Sequence, residues 1–319
     1  MSTRHLVDPE LLPLLEVFPP IVLDREQLPQ IRAGMEQMRA QLAAAVPEFP
    51  NVTVTEYRVP GPPDAPDVRV LVYRPSEAVP SLPALLWIHG GGYVLGSAEQ
   101  DDAQLKTFVS ELNCLVASVD YRLAPETPHP GPVEDCYAAL KWLHANAETL
   151  GVDRQRIAIG GASAGGGLAA GLALLARDRG EVPVSFQLLI YPMLDDRTAV
   201  LADPHPFTGE FIWNHAANHF GWSALLGQPP GSPDVSPYAA AARAENLAGL
   251  PATFINTGAL DLFLEEDIEY ARRLTRAGVP TELHVYPGAY HGFNLVPTAR
   301  VSQAFQRDIL NALRRAFYG

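Results

Sequence analysis

The sequence predicts an α/β protein, with a central, mostly parallel sheet flanked by helices. Three observations carry that prediction. Short, almost continuously apolar runs recur along the chain, helical patterns lie between them, and one aromatic, loop-rich stretch interrupts the alternation. Parallel strands are covered by helices on both faces, so they read as unbroken apolar runs rather than as alternating ones. Strand, helix and strand repeated in this order describe a doubly wound sheet.

In chain order, residues 1–48 read as helical. The apolar pairs Leu11–Leu12 and Leu14–Leu15 suggest one helix stopped near Pro19–Pro20, and Ile31, Met35, Met38 and Leu42 recur at helical spacing over residues 28–45. Such short pieces cannot form a core alone, so they should pack on the rest of the chain. Residues 52–59 and 68–73 alternate polar and apolar, which suits antiparallel strands at a sheet edge. The apolar runs are residues 84–88, 115–119, 157–159, 186–190 and 253–256, and a last alternating strand covers 281–286. Helical patterns fill 132–150, 166–179 and 263–277, with Gly180 and Gly278 where a helix C-cap favours glycine. The interruption, residues 195–237, carries Phe207, Phe211, Trp213, Phe220 and Trp222. Inserted after a core strand, it should lie over the sheet's carboxyl edge, where α/β proteins bind ligands.

The 319 residues suffice for one large core, or one core with an appended subdomain. The expected division is N-terminal helices over 1–48 and a larger domain over 49–319 that contains the 195–237 insertion. No run approaches the ~18 apolar residues of a membrane helix, and Met1 to Glu10 has no apolar signal core. A cytoplasmic location is expected, with Cys114 and Cys136 as buried free thiols. The net charge of −13 argues against a nucleic-acid partner, which would demand clustered Lys and Arg.

The chemistry is concentrated in a few short segments. Gly161-Ala162-Ser163-Ala164-Gly165 lies between an apolar strand and a helical pattern. A sharp strand–turn–helix with small neighbours lifts a Ser hydroxyl above the sheet, and the helix N-terminus behind it favours developing negative charge. His89-Gly90-Gly91-Gly92 ends the strand 84–88. Backbone N–H groups freed in such a loop can converge on one oxygen, as acyl transfer requires. The expected donors are the amides of Gly91, Gly92 and Ala164, with His89 and Gly90 shaping the loop.

A serine hydroxyl needs a base and an orienting acid, in the chain order Ser, acid, His. His5, His129, His144, His205, His215 and His219 lie in the leader, a Pro-rich loop, a helix or the insertion, and His284 falls inside the last strand. His291 comes after that strand and is the expected general base. Asp261 comes after strand 253–256 and is the expected acid. Asp195 and Asp196 stand after an earlier strand, and a helix N-cap is the plain alternative for Asp261. Tyr93, Leu95, Phe207, Phe211, Trp213 and Leu262 are candidates to line a pocket, with core packing the alternative for each.

Taken together, His89–Gly92, Tyr121-Arg-Leu-Ala-Pro-Glu126, Gly161–Gly165, Ser236-Pro-Tyr238 and Tyr290-His-Gly-Phe293 give the chain a resemblance to the hormone-sensitive-lipase-like esterases of the α/β-hydrolase superfamily. That resemblance implies the α/β-hydrolase fold, a Ser163–Asp261–His291 triad, and a cap of the N-terminal helices plus the insertion. It also implies hydrolysis of short- to medium-chain acyl esters without a cofactor, and a possible homodimer. The chain departs from the family pattern at Ala162, Leu262 and Thr127-Pro-His-Pro130, none of which removes a triad member or an oxyanion donor. Amides, lactones and peptides suit the same groups, and a non-catalytic receptor would be expected to lack a triad member. There is no H-E-x-x-H, no His/Cys cluster at metal-ligand spacing, no P-loop and no dinucleotide fingerprint.

Overall fold

The computed structural model describes residues 2–18, 21–43, 48–77 and 81–319. Two short helices come first, α1 (Leu12–Val17) and α2 (Leu28–Ala43). The expected Pro19–Pro20 stop, the last two residues expected in the second helix and the Leu42 side chain lie outside the described residues. Along α2, Leu28 is buried and Ile31 and Met35 are half-buried, whereas Met38 faces solvent.

The sheet is built from β1 (Val52–Val59), β2 (Val68–Pro75), β3 (Leu82–Ile88), β4 (Leu115–Asp120), β5 (Val152–Ala162), β6 (Phe186–Ile190), β7 (Ala252–Gly258) and β8 (Thr281–Tyr286). Its spatial order is β1-β2-β4-β3-β5-β6-β7-β8. β2 runs antiparallel to β1 and β4, and every other neighbouring pair is parallel. Of the two alternating N-terminal strands, only β1 is an edge. β2 is interior, and most of its residues are buried.

Helices α3 (Asp102–Leu112), α4 (Gly131–Ala145), α5 (Ala147–Leu150), α6 (Ala164–Arg179), α8 (Leu264–Arg276) and α9 (Arg300–Tyr318) pack against the strands, whereas α7 (His215–Leu226) lies in the insertion and packs on the turn at 196–200. The helix expected over 132–150 is divided at Asn146 into α4 and α5. α3, α7 and α9 are absent from the sequence reading. α9 carries a readable signal, since Phe305, Ile309, Ala312, Leu313 and Phe317 are buried at helical spacing. One core cluster joins α4 and α6 to the sheet, and a second joins α3 and α9 to its opposite face. Cys114 and Cys136 are free and buried, and burial pushes the Cys114 thiol up to about 12. No helix among the described residues is long and apolar enough to cross a membrane.

Candidate active site

Ser163 sits between β5 and α6 with φ 57° and ψ −121°, a left-handed conformation unusual for a side-chain-bearing residue. The Ser163 amide donates to the Ile190 carbonyl (2.8 Å), and the Ser163 carbonyl accepts from Gly167 and Met193 (both 3.0 Å). These bonds hold the strained turn between two strands and the helix. Gly165 lets α6 come this close: a Cβ there would lie 2.1 Å from the Ile88 carbonyl oxygen and 2.4 Å from that of His89.

Asp261 and His291 come to this turn from the carboxyl ends of β7 and β8. His291 Nε2 is 2.9 Å from Ser163 Oγ, and its Nδ1 is 2.8 Å from Asp261 Oδ2. The other Asp261 oxygen accepts from the Phe263 amide at 3.0 Å. One carboxylate thus combines the helix-entry role with contact to the imidazole. Asp261 is fully buried, while Ser163 and His291 are each 6% exposed. The rival acids are engaged elsewhere. Asp195 pairs with Arg197, and Asp196 pairs with Arg243 while accepting from the Gly231 amide.

The glycine loop passes close to Ser163, since a Cβ on Gly90 would lie 3.3 Å from Ser163 Cβ, and Gly91 and Gly92 have φ 112° and 59°. Among the described residues, neither of their amides donates to a backbone or side-chain acceptor. The Ala164 amide opens α6, so no earlier turn of that helix accepts its hydrogen. His89 is buried and stacks on Tyr121 (4.3 Å between centroids), its Nδ1 lies 2.8 Å from the Gly90 carbonyl, and burial lowers the pKa of the ring below the ordinary histidine value. The Tyr121 hydroxyl donates to the His89 carbonyl (3.0 Å), so the Tyr121–Glu126 motif braces the loop.

The six expected pocket residues separate. Tyr93 and Leu95 belong to the core and not to an open pocket wall. Tyr93 has no exposed surface and donates its hydroxyl to Met193, and Leu95 packs with Leu28 and Ala124. Tyr93 lies within the turn that Leu95 closes on the Gly91 carbonyl, and both side chains are buried. Phe207 is half exposed beside His205, and Phe211 leans on Tyr290. Trp213 lies beside the imidazole: its ring is 6.5 Å from the His291 ring and would collide with any Cβ on Gly92. Leu262, buried, lines a small cavity with Thr208 and His215.

Other neighbours of the imidazole escape the sequence reading. Tyr191 and Phe263 meet the His291 ring edge-on at 4.7 and 5.2 Å. The one available signal for Tyr191 is its place directly after β6, at the same sheet edge as Ser163. Glu266, buried on α8, accepts from the amides of Leu194 and Asp195 and bonds the Thr198 hydroxyl. It pins the start of the insertion to the helix that comes after Asp261, and burial raises its carboxyl well above the usual range. The N-terminal segment reaches the same region: the Asn214 side chain donates to the Ile21 carbonyl, Glu210 accepts from Ser2 and Thr3, and the Tyr290 hydroxyl donates to Leu11.

A serine–histidine–aspartate chain at the carboxyl edge of a mostly parallel sheet, beside a glycine loop, defines a serine-hydrolase type of site. The model of a family described as alpha/beta hydrolase fold matches residues 85–295. The chain is 34% identical to carboxylesterase NlhH of Mycobacterium tuberculosis over 99% of its own length and 98% of that protein. Among solved structures, it resembles a bacterial heroin esterase at 44% identity and TM-score 0.94, with both chains wholly covered. It also resembles esterase LipW of Mycobacterium marinum at 37% identity and TM-score 0.87, over 99% of this chain and 98% of that one. The chain belongs to the alpha/beta hydrolase fold family and, within it, to the hormone-sensitive-lipase-like carboxylic ester hydrolases.

Proposed function

We propose that this ester hydrolase works by two-step acyl transfer on short- to medium-chain acyl esters, with Ser163 as nucleophile, His291 as general base and Asp261 as the orienting acid. The observation that carries the reading is the buried hydrogen-bonded chain from Ser163 Oγ through His291 to Asp261, at 2.9 and 2.8 Å. With Nδ1–H donating to Asp261, Nε2 is free to take the serine proton as Oγ attacks the ester carbonyl. The buried carboxylate stabilises the resulting imidazolium. Negative charge then develops on the carbonyl oxygen, which the amides of Gly91, Gly92 and Ala164 stabilise as donors, and in so buried a site such donors act strongly. His291 returns its proton to the leaving alcohol, and water repeats the sequence on the acyl-enzyme. Apart from the ester and the hydrolytic water, every step uses groups of this chain and calls for no cofactor.

The described parts of 1–48 and 195–237 act as a cap over this site. The bonds from Asn214 to Ile21 and from Ser2 and Thr3 to Glu210 support that division. Trp213, wedged over Gly92, supports a restricted acyl pocket. The test is hydrolysis of p-nitrophenyl esters from acetate to palmitate by wild type and Ser163→Ala. Short chains should turn over fastest, and the substitution should remove on the order of 10⁶ in kcat. Folded wild type no faster than Ser163→Ala on every ester would overturn the mechanism. A profile favouring palmitate would overturn the chain-length reading alone.

A further inference from the structure

We propose that Arg32, on the N-terminal helix α2, is a positioning residue for the oxyanion loop, fixing the backbone that carries Gly91 and Gly92. The proposal rests on the reading of those amides as oxyanion donors.

The loop closes on itself through the Gly91 carbonyl, which accepts from Val94 (3.1 Å) and Leu95 (2.9 Å). A second backbone bond, from the Ala124 amide to the Tyr93 carbonyl (3.0 Å), ties that turn to the strand-exit segment at 121–126. The carbonyls of Val94 and Ala124 remain, and Arg32 takes both. Its Nε donates to Val94 O and its Nη2 to Ala124 O, each at 2.8 Å. The Glu126 carboxylate completes the arrangement, accepting from Nη1 at 2.8 Å and Nη2 at 3.0 Å. The Arg32 side chain is only 26% exposed. Leu28, Ile31 and Met35 pack α2 onto Val94, Leu95 and Ala124, so apolar contact and guanidinium secure the same seat.

Glycines at positive φ leave a loop with wide backbone freedom, so its N–H directions need restraint from outside. A planar guanidinium offers five donors in a fixed fork and can serve two carbonyls and a carboxylate at once. A lysine ammonium lacks that geometry. Removing Arg32 would leave Val94 O and Ala124 O without this clamp and would broaden the directions of the Gly91 and Gly92 amides. Those amides matter most when charge has developed on the substrate oxygen, so the loss should fall on the transition state rather than on ester binding.

The experiment compares wild type, Arg32→Gln, Arg32→Lys and Glu126→Gln by steady-state hydrolysis of p-nitrophenyl butyrate. It adds affinity for a trifluoromethyl ketone, whose serine adduct places an oxyanion in the hole, and thermal melting. Arg32→Gln should lose about tenfold in kcat, a fraction of what deletion of a whole donor costs, with KM changed less than about twofold. Ketone affinity should fall by the same factor. Arg32→Lys should recover part of the loss, and Glu126→Gln, which keeps both carbonyl contacts, should retain most of the activity. A lower melting temperature in Arg32→Gln with kcat and ketone affinity intact would reduce Arg32 to a structural staple and overturn the proposal. A raised KM with kcat intact would overturn it in favour of α2 as a substrate wall. If wild type showed no Ser163-dependent turnover, the underlying reading would fail as well. Active wild type matched by every variant refutes the Arg32 role alone.

Discussion

An Asp261→Asn substitution preserves the shape of the side chain while changing which of its atoms can accept a proton's bond. In the native protein one oxygen accepts from the Phe263 amide (3.0 Å) and the other from His291 Nδ1 (2.8 Å), with no exposure to water. The asparagine oxygen must stay toward Phe263, because turning the NH₂ group that way would set two donors against each other. The amide nitrogen then faces Nδ1, which has to become an acceptor. The imidazole proton moves to Nε2, 2.9 Å from Ser163 Oγ, and a protonated Nε2 cannot take the serine proton. The same change in the serine-protease triad costs about 10⁴ in kcat, equivalent to about 5 kcal/mol, and the geometry here predicts a loss of that order. The assay is kcat on p-nitrophenyl butyrate, paired with circular dichroism to show a native-like melt. A folded variant retaining more than about a tenth of wild-type kcat, less than ~1.4 kcal/mol of effect, would refute this reasoning.

Two further predictions concern what holds the site. Gly165→Ala puts a methyl group against main-chain oxygens at 2.1 and 2.4 Å, which cannot move aside as a side-chain tip would. It should cost about 3 kcal/mol in denaturant unfolding, the upper end for overpacking, and disrupt activity with it; unchanged stability would show that the close approach of α6 to β3 is unnecessary. Glu266 is raised by burial above its ordinary 4.5, so below that value it carries the proton in folded and unfolded states alike and costs nothing. As pH rises past 4.5 the unfolded chain releases the proton first, and wild type loses stability by up to about 1.4 kcal/mol per pH unit. Glu266→Gln keeps an oxygen for the Leu194 and Asp195 amides and should therefore gain stability relative to wild type as pH rises from 4.5. A difference that stays flat with pH sinks that account.

The elements legible in the sequence are those whose signal is local. The elbow at Ser163 is encoded by five consecutive residues between a strand and a helix, and the apolar texture of β3 to β7 arises from burial on both faces. His291 and Asp261 are readable because the fold brings strand ends to one edge, so position after a strand stands in for distance. Tyr93 and Leu95 show the limit of that logic. Both adjoin the glycine loop in sequence, yet the turn closed on the Gly91 carbonyl directs them into the core. Contacts between a side chain and distant main chain leave no pattern at all. Arg32 reaches carbonyls 62 and 92 residues away, and Glu266 reaches amides 71 and 72 residues away. The helix α7 within the insertion is obscured by its Gly, Trp and His content, and its start depends on the Asn214 side chain accepting from Ala217.

A covalent intermediate at Ser163 is the most direct consequence of the two-step mechanism. Wild-type protein mixed rapidly with p-nitrophenyl butyrate, quenched in acid and digested should yield, by mass spectrometry, a single butyrylated peptide, the one containing Gly161–Gly165. The Ser163→Ala protein should yield none. Fast turnover with no acyl group on Ser163, or with the acyl group on another residue, would contradict the mechanism at its first step.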